Sequence, residues 1–397
     1  MSYESTLTPS VETILDERVL VCEGLVFVSG LTAADPGAGI PSSAAVSPEF
    51  PYYGSDIQKQ TIHLLEKLQR LLNENNSSLE DVVKTQVFLS DCRLFDAFDQ
   101  IWKRFFPVPP PRTTVGVGSD GMAIPGTLVS VDVIAARSGE VTVEQIDSPR
   151  LPKPLANYTP CVRAGEWLFL AGQLPTDFGA TGIAPGAAVN RDLPHHVSSI
   201  VAQAEYTIRI CQTLLEDAGS DWQHTVRAHI FLKHIEDAPL VERMWRDGFD
   251  GGAPPVMIIG VQELLTGGAE IEIDVIALRS DSRQSRGPIA HAYGQGALSA
   301  GGTDDTVFAV TEVVVDQSEY RPFAIERAVS EAFTGAATVL GGDATAIKVH
   351  AFLPAPSDIW AFGRALPAAV ADSAAITTSP SVGGSKIGLE IVYRARR

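Results

Sequence analysis

The chain is short of cations, of cysteine and of long apolar runs. Thirty Lys and Arg stand against forty-eight Asp and Glu in 397 residues, a formal charge of -18. That excess repels phosphate backbones and anionic headgroups over the whole surface, so neither nucleic acid nor a membrane is an expected partner. Four cysteines, Cys22, Cys92, Cys161 and Cys211, are scattered without a Cys-x-x-Cys pair, which indicates neither a disulfide framework nor a zinc knuckle. No apolar run approaches ~18 residues, and residues 1–18 carry neither a basic start nor an apolar segment of the export type. A cytoplasmic protein that does not span a membrane is expected. What is present is an ordinary globular balance, 45% apolar and 20% charged, well outside the regime of disorder. At ~150 residues per domain the length suggests two or three cores.

The sequence repeats itself. Residues 25–31 read LVFVSGL and 167–174 read WLFLAGQL; 83–89 (VKTQVFL) return as 226–232 (VRAHIFL); 131–135 (VDVIA) return as 273–277 (IDVIA). The offset stays at 142 to 143 residues across separated blocks, the signature of a duplicated domain. A third, fainter copy has IKVHAFL at 347–353 and LEIVY at 389–393, and it is shorter between its first and middle blocks. Stretches rich in Ser, Pro, Arg and Gly around 138–154 and 280–288 read as linkers. The expected domains are residues 1–140, 150–281 and 287–397, the last degenerate. Within copy one, a β-branched hairpin (19–31) precedes an amphipathic helix (57–72), an alternating strand (83–89), a second short helix (95–106) and two closing strands (113–117 and 128–135). The order β-β-α-β-α-β-β predicts an α+β layer, a mixed sheet with two helices on one face and the other face in need of a partner.

These blocks resemble the reactive intermediate deaminase family (Rid, also called YjgF-type). The residues that carry the resemblance are Ser29-Gly30-Leu31 and Ala171-Gly172-Gln173, the segment 84–89, Pro111-Arg112-Thr113-Thr114-Val115, and Asp132-Val133-Ile134-Ala135. The resemblance implies three tandem Rid-like (chorismate-mutase-like) domains folded as a covalent pseudo-trimer, with the open sheet faces buried against one another. It also implies a monomer or a dimer of such units, and a small carboxylated substrate. The implied activity is hydrolysis of an imine or enamine to an oxo acid and ammonia, with no metal or cofactor. Arg112 matches the family's carboxylate-binding arginine, Thr114 the position where a cysteine often stands, and Ser29 and Gly30 the loop lining the cleft.

The copies depart from the pattern in different ways. The arginine position holds Val256 in copy two and an apolar residue near Ile376 in copy three. The water-orienting glutamate position holds Ser130, Glu272 and Gly388; the cleft tyrosine position Asp16, Tyr158 and Tyr293; the helix asparagine position Asp99, Glu242 and Gly363. One composite site is therefore expected: Arg112 with Thr114, Tyr158 or Tyr293 from a neighbouring copy, and Glu272 or Glu242 supplying the missing carboxylate. A catalytically silent metabolite- or partner-binding protein is the alternative. A ring-opening cyclic amide hydrolase is a second, because Lys84, Arg227 and Lys348 recur at one point of the three copies. Arginine cannot serve as the base a lysine can, however, and no serine recurs alongside, so pairing with acids is the simpler reading. An endoribonuclease activity attributed to some relatives is disfavoured by the charge.

Two further motifs are set aside. Gly116, Gly118 and Gly121 spell G-x-G-x-x-G, yet residues 122–125 lead into a strand and offer no helix N-terminus to a pyrophosphate; a hairpin loop is expected. His195-His196, His229 and His234 do not have a convergent ligand spacing, the latter two falling on opposite faces of a strand and its exit.

Overall fold

The computed structural model describes residues 14–179, 182–190, 192, 198–249, 252–282, 286–293, 296–340 and 344–395. Unit one contains β1 (Val19–Cys22), β2 (Leu25–Thr32), β3 (Val82–Leu89), β4 (Arg112–Gly116) and β5 (Val129–Ala136), with helices Asp56–Glu74 and Phe95–Phe105. Unit two contains β6 (Val143–Ile146), β7 (Cys161–Ala164), β8 (Trp167–Leu170), β9 (Thr225–Leu232), β10 (Val256–Gly260), β11 (Glu263–Leu264) and β12 (Ile271–Leu278), with helices Ser199–Asp217 and Ala238–Asp247. Unit three contains β13 (Arg286–Tyr293), β14 (Gly296–Gly302), β15 (Thr306–Val314), β16 (Thr345–Leu353), β17 (Ala375–Pro380) and β18 (Lys386–Arg394). Its first helix is Arg321–Leu340, and its second is broken by Pro367 into Ile359–Ala365 and Ala368–Ser373. The expected α+β architecture of three tandem mixed sheets is what the chain adopts. Their strand orders are β1-β2-β5-β3-β4-β11, β10-β9-β12-β8-β7-β6 and β13-β14-β15-β18-β16-β17.

Two expectations need correction. The stretch 138–154 is not merely a linker, because β6 lies within it and pairs antiparallel with β7; likewise β13 begins inside 280–288. A short, half-exposed edge strand such as β6 carries too little apolar periodicity to stand out from turn residues. The glycine run 116–121 is not a hairpin: β3 lies between β4 and β5, pairing parallel with one and antiparallel with the other. Gly116 is instead where unit two joins unit one. Its carbonyl accepts from the N–H of Gln262 at 2.8 Å, and β11 extends the sheet of unit one along β4. The same join recurs one unit later, where Val382 N–H donates to the carbonyl of Gly260 at 2.8 Å and a Cβ at Gly260 would stand 2.0 Å from the Val382 carbonyl oxygen. The third copy's shortness lies between its third strand and first helix: β15 ends at Val314 and the helix starts at Arg321, against Thr32 and Asp56 in unit one.

Alternation along the strands divides each sheet into two faces. In unit one Val26, Val28 and Leu31 pack under Leu64, Leu68 and Trp102 of the helices, while Leu25 and Phe27 point the other way. There they meet Phe169 of unit two and Phe308 of unit three in a shared apolar centre. Phe88, Phe231 and Phe352, one from the same point of each copy, converge in a second. The inward faces therefore cover one another.

Between these centres runs a closed ring of buried ion pairs. Lys84 of unit one meets Asp274 of unit two at 3.1 Å, Arg227 of unit two meets Glu390 of unit three at 2.6 Å, and Lys348 of unit three meets Asp132 of unit one at 2.6 Å. All six side chains are buried. Burial alone would raise Asp274, but the Arg227 guanidinium and the Lys84 ammonium hold its carboxyl well below the usual range. Burial in turn pushes Lys84 down to about 8, against the attraction of Asp274. The recurring cations are thus paired with acids of the next unit. The N-terminal end of the described chain closes the circle, since Ile14 is buried in the helix-side core of unit three.

Candidate active site

Each pair of units leaves a cleft, and the first-to-second and third-to-first clefts each take their arginine position from one unit and their glutamate position from the next. The strand registers fix this equivalence: Arg112, Val256 and Ile376 stand opposite Thr85, Ala228 and Val349, and Ser130, Glu272 and Gly388 stand opposite Phe88, Phe231 and Phe352. The cleft between units one and two is a cavity of about 370 Å³ that contains both Arg112 and Glu272, together with Thr114, Tyr158, Asp99 and Gly172. Two residues that no single copy keeps together are reunited across a domain boundary.

Arg112 opens β4 directly after the run Val108-Pro109-Pro110-Pro111, which cannot continue the preceding helix and delivers an extended chain. The side chain is only 2% exposed. Its Nη1 donates to Asp99 Oδ1 at 2.8 Å, and its guanidinium carbon lies 5.2, 5.6 and 5.2 Å from the ring centroids of Phe95, Phe98 and Trp102. Burial lowers its pKa and Asp99 opposes the shift, so the group stays a cation. Asp99 also holds Lys103 at 2.7 Å. This is a buried pair on an aromatic floor, not a surface salt bridge.

Glu272 lies on β12 with its side chain turned inward and buried. Burial and the nearby Asp274 push its carboxyl up to about 8, against the pull of Lys84, the Thr114 backbone N–H and Arg112. Its Oε2 and the Thr114 hydroxyl have no hydrogen-bond partner among the described residues. Space for the carboxyl exists because position 172 is glycine: a Cβ there would stand 1.9 Å from Glu272 Oε1. Gly172 N–H also donates to the Arg112 carbonyl at 3.2 Å, tying the loop of unit two to β4. Burial raises the pKa of Tyr158, which is therefore a neutral hydroxyl.

The other proposed residues lie elsewhere. Ser29 and Gly30 belong to the cleft between units three and one, where the Ser29 hydroxyl accepts from Arg18 N–H at 2.9 Å and a Cβ at Gly30 would meet Thr377 Cγ2 at 2.7 Å. Ala171-Gly172 takes their place beside Arg112. The cavity in the third-to-first cleft is only about 40 Å³, with Leu15 and Glu17 among its lining residues. Glu242 lies in the cleft between units two and three, where it is paired with Lys386 at 2.6 Å. Tyr293 ends β13, and its side chain lies outside the described residues, as do His195 and His196. His229 is buried in the central ring, 3.0 Å from Glu390, and His234 is exposed at the surface. Among the described residues, no three His, Cys, Asp or Glu side chains gather as a metal site requires, and no helix is long and apolar enough to cross a membrane.

A family model described as Endoribonuclease L-PSP matches residues 16–137 and 149–279. The chain belongs to that family. Among family members, the protein mmf2, mitochondrial, of Schizosaccharomyces pombe is 34% identical over 114 residues, covering 28% of this chain and 80% of that protein. The 2-iminobutanoate/2-iminopropanoate deaminase of Dermatophagoides farinae is 23% identical over 133 residues, covering 34% of this chain and 94% of that one. Among solved structures, a chorismatase is similar over 66% of this chain and 77% of its own, at 13% identity and a TM-score of 0.46.

Proposed function

We propose that the cleft between units one and two hydrolyses a small carboxylated imine or enamine to an oxo acid and ammonia, without a metal or cofactor. The observation that carries this reading is the meeting of Arg112 and Glu272, from different units, in one cavity. An imine carbon beside a carboxylate is already electrophilic, so the demands on the protein are modest. A guanidinium has N–H donors beyond the one held by Asp99, and these suit a planar carboxylate. The unpartnered Glu272 Oε2 suits a water. Water adds its oxygen to the imine carbon while the ionised Glu272 takes one proton from it and returns that proton to the nitrogen, giving a carbinolamine; Glu272 then carries the remaining hydroxyl proton to the same nitrogen as the C–N bond breaks and the oxo group forms, and ammonia leaves. Tyr158 and Thr114 supply hydroxyls to orient substrate or water. The activity named for the mite relative is of this class.

Binding without turnover is the second reading, favoured by the ion pair that already occupies one nitrogen of Arg112. The test is to generate 2-imino acids in situ with an amino-acid oxidase and to follow ammonia release or loss of semicarbazone trapping. Acceleration by the protein supports hydrolysis; an unchanged decay rate with an oxo acid still bound supports the silent reading.

A further inference from the structure

The cavity that holds Arg112 and Glu272 has a neighbour. A second cavity of about 320 Å³ lies beside it in unit two, and the two share Tyr158, Leu174 and Phe178 as lining residues. It is also lined by Leu151 from the segment after β6 and by Ile210 and Leu214 of helix Ser199–Asp217. Those walls are aliphatic, and the charged residues that touch this cavity, Asp147 and Lys153, are exposed. The shared wall contains one irregularity. Phe178 has φ of +59°, a left-handed conformation that is unfavourable for a bulky side chain and persists only where the surroundings impose it. The Thr176 hydroxyl stabilises it by accepting the Phe178 N–H at 2.9 Å.

We infer that this second cavity is the side-chain subsite of the same active centre, and that the substrate is a 2-imino acid with a large apolar or aromatic side chain. The inference rests on the hydrolase reading for the chemistry, but its geometry is independent. A three-carbon imino acid anchored at Arg112 occupies little of a 370 Å³ cavity and gains nothing from the aliphatic walls. An aromatic substituent that crosses the Tyr158–Leu174–Phe178 wall exchanges water for apolar contact on both sides. The cavity in the second-to-third cleft is lined instead by charged side chains, among them Glu242, Glu312 and Lys386.

Calorimetry of the full chain with the stable product analogues phenylpyruvate and pyruvate tests the subsite without turnover. Phenylpyruvate is expected to bind at least tenfold more tightly. The ratio is expected to fall towards one in Leu151→Trp, which fills the second cavity, and in Lys153→Trp, which starts from an exposed side chain and keeps the test open if the first variant does not fold. Equal affinities in the parent protein, or a ratio untouched in a variant of unchanged melting temperature, overturn the inference. Ammonia release from the corresponding imines is measured separately. Its absence for both sinks the hydrolase reading, while the affinity ratio still judges the subsite.

Discussion

Arg112 and Glu272 have opposite electrostatic characters within one cavity, and each leads to a measurement. Arg112→Ala removes a charge-assisted, two-pronged contact worth ~1.5–3 kcal/mol in a desolvated site, so kcat/KM for the imine should fall roughly ten- to a hundred-fold or more. Arg112→Lys should rescue poorly, because a point charge neither reproduces the fork nor stacks on Phe95 and Trp102. Steady-state kinetics near those of the parent would mean that Arg112 serves Asp99 alone. Glu272 titrates near pH 8 in the folded protein and must be ionised to accept a proton. The expected kcat profile therefore rises through about pH 8, and Glu272→Gln should lose both the limb and most of the rate. The stability sign follows from the same shift: a carboxyl raised from 4.5 to about 8 stabilises the fold fully below its unfolded value, and that contribution is lost as the pH climbs through about 8. Denaturant midpoints should decline over that window in the parent and stay flatter in Glu272→Gln.

At the scale of elements, the loop Ala171-Gly172-Gln173 matters more than its length suggests. It bonds back to the Arg112 carbonyl, and Gln173 exchanges backbone hydrogen bonds with Ile273, at 2.8 and 3.0 Å, beside Glu272. Gly172→Ala should push the Glu272 carboxyl out of place, since its Cβ would overlap Oε1, and turnover should drop without loss of folded structure by circular dichroism. Retained turnover would show that Glu272 has room to reposition. The long helices and central strands were legible in the sequence because their apolar periodicities run for several turns or alternations. The edge strand β6 was not, because only Val143 and Ile146 of its four residues are apolar and all are at least partly exposed. Nor was the parallel pairing of β3 with β4, since a loop of glycines reads alike whether it turns back or crosses over.

At the scale of the whole molecule, the buried pairs Lys84–Asp274, Arg227–Glu390 and Lys348–Asp132 tie each unit to the next. Asp274→Ala would leave two buried cations without their shared acid, a cost of ~3–5 kcal/mol, which denaturant unfolding of the full chain should register. Because the inward faces are already covered, light scattering should give a monomer or a dimer of the chain; a trimer would contradict the covalent replacement. Chelators should leave imine hydrolysis unchanged, and loss of activity restored by zinc would reopen the question of the histidines.

The sequence by itself determined the triplication, the α+β units and the positions that could carry chemistry, because repeats and apolar periodicity are written residue by residue. It also identified Arg112, Tyr158 and Glu272 as candidates for one composite site, yet it left open which neighbouring copy completes the cleft. Only the tertiary structure decided that each cleft joins the arginine strand of one unit to the glutamate strand of the next. It likewise separated Ser29, Gly30 and Glu242 from Arg112 and gave Arg112 its partner Asp99. The reason is physical: a cleft at an interface is defined by how two sheets pack through their inward faces, and that cyclic order is a property of the assembled core rather than of any one segment.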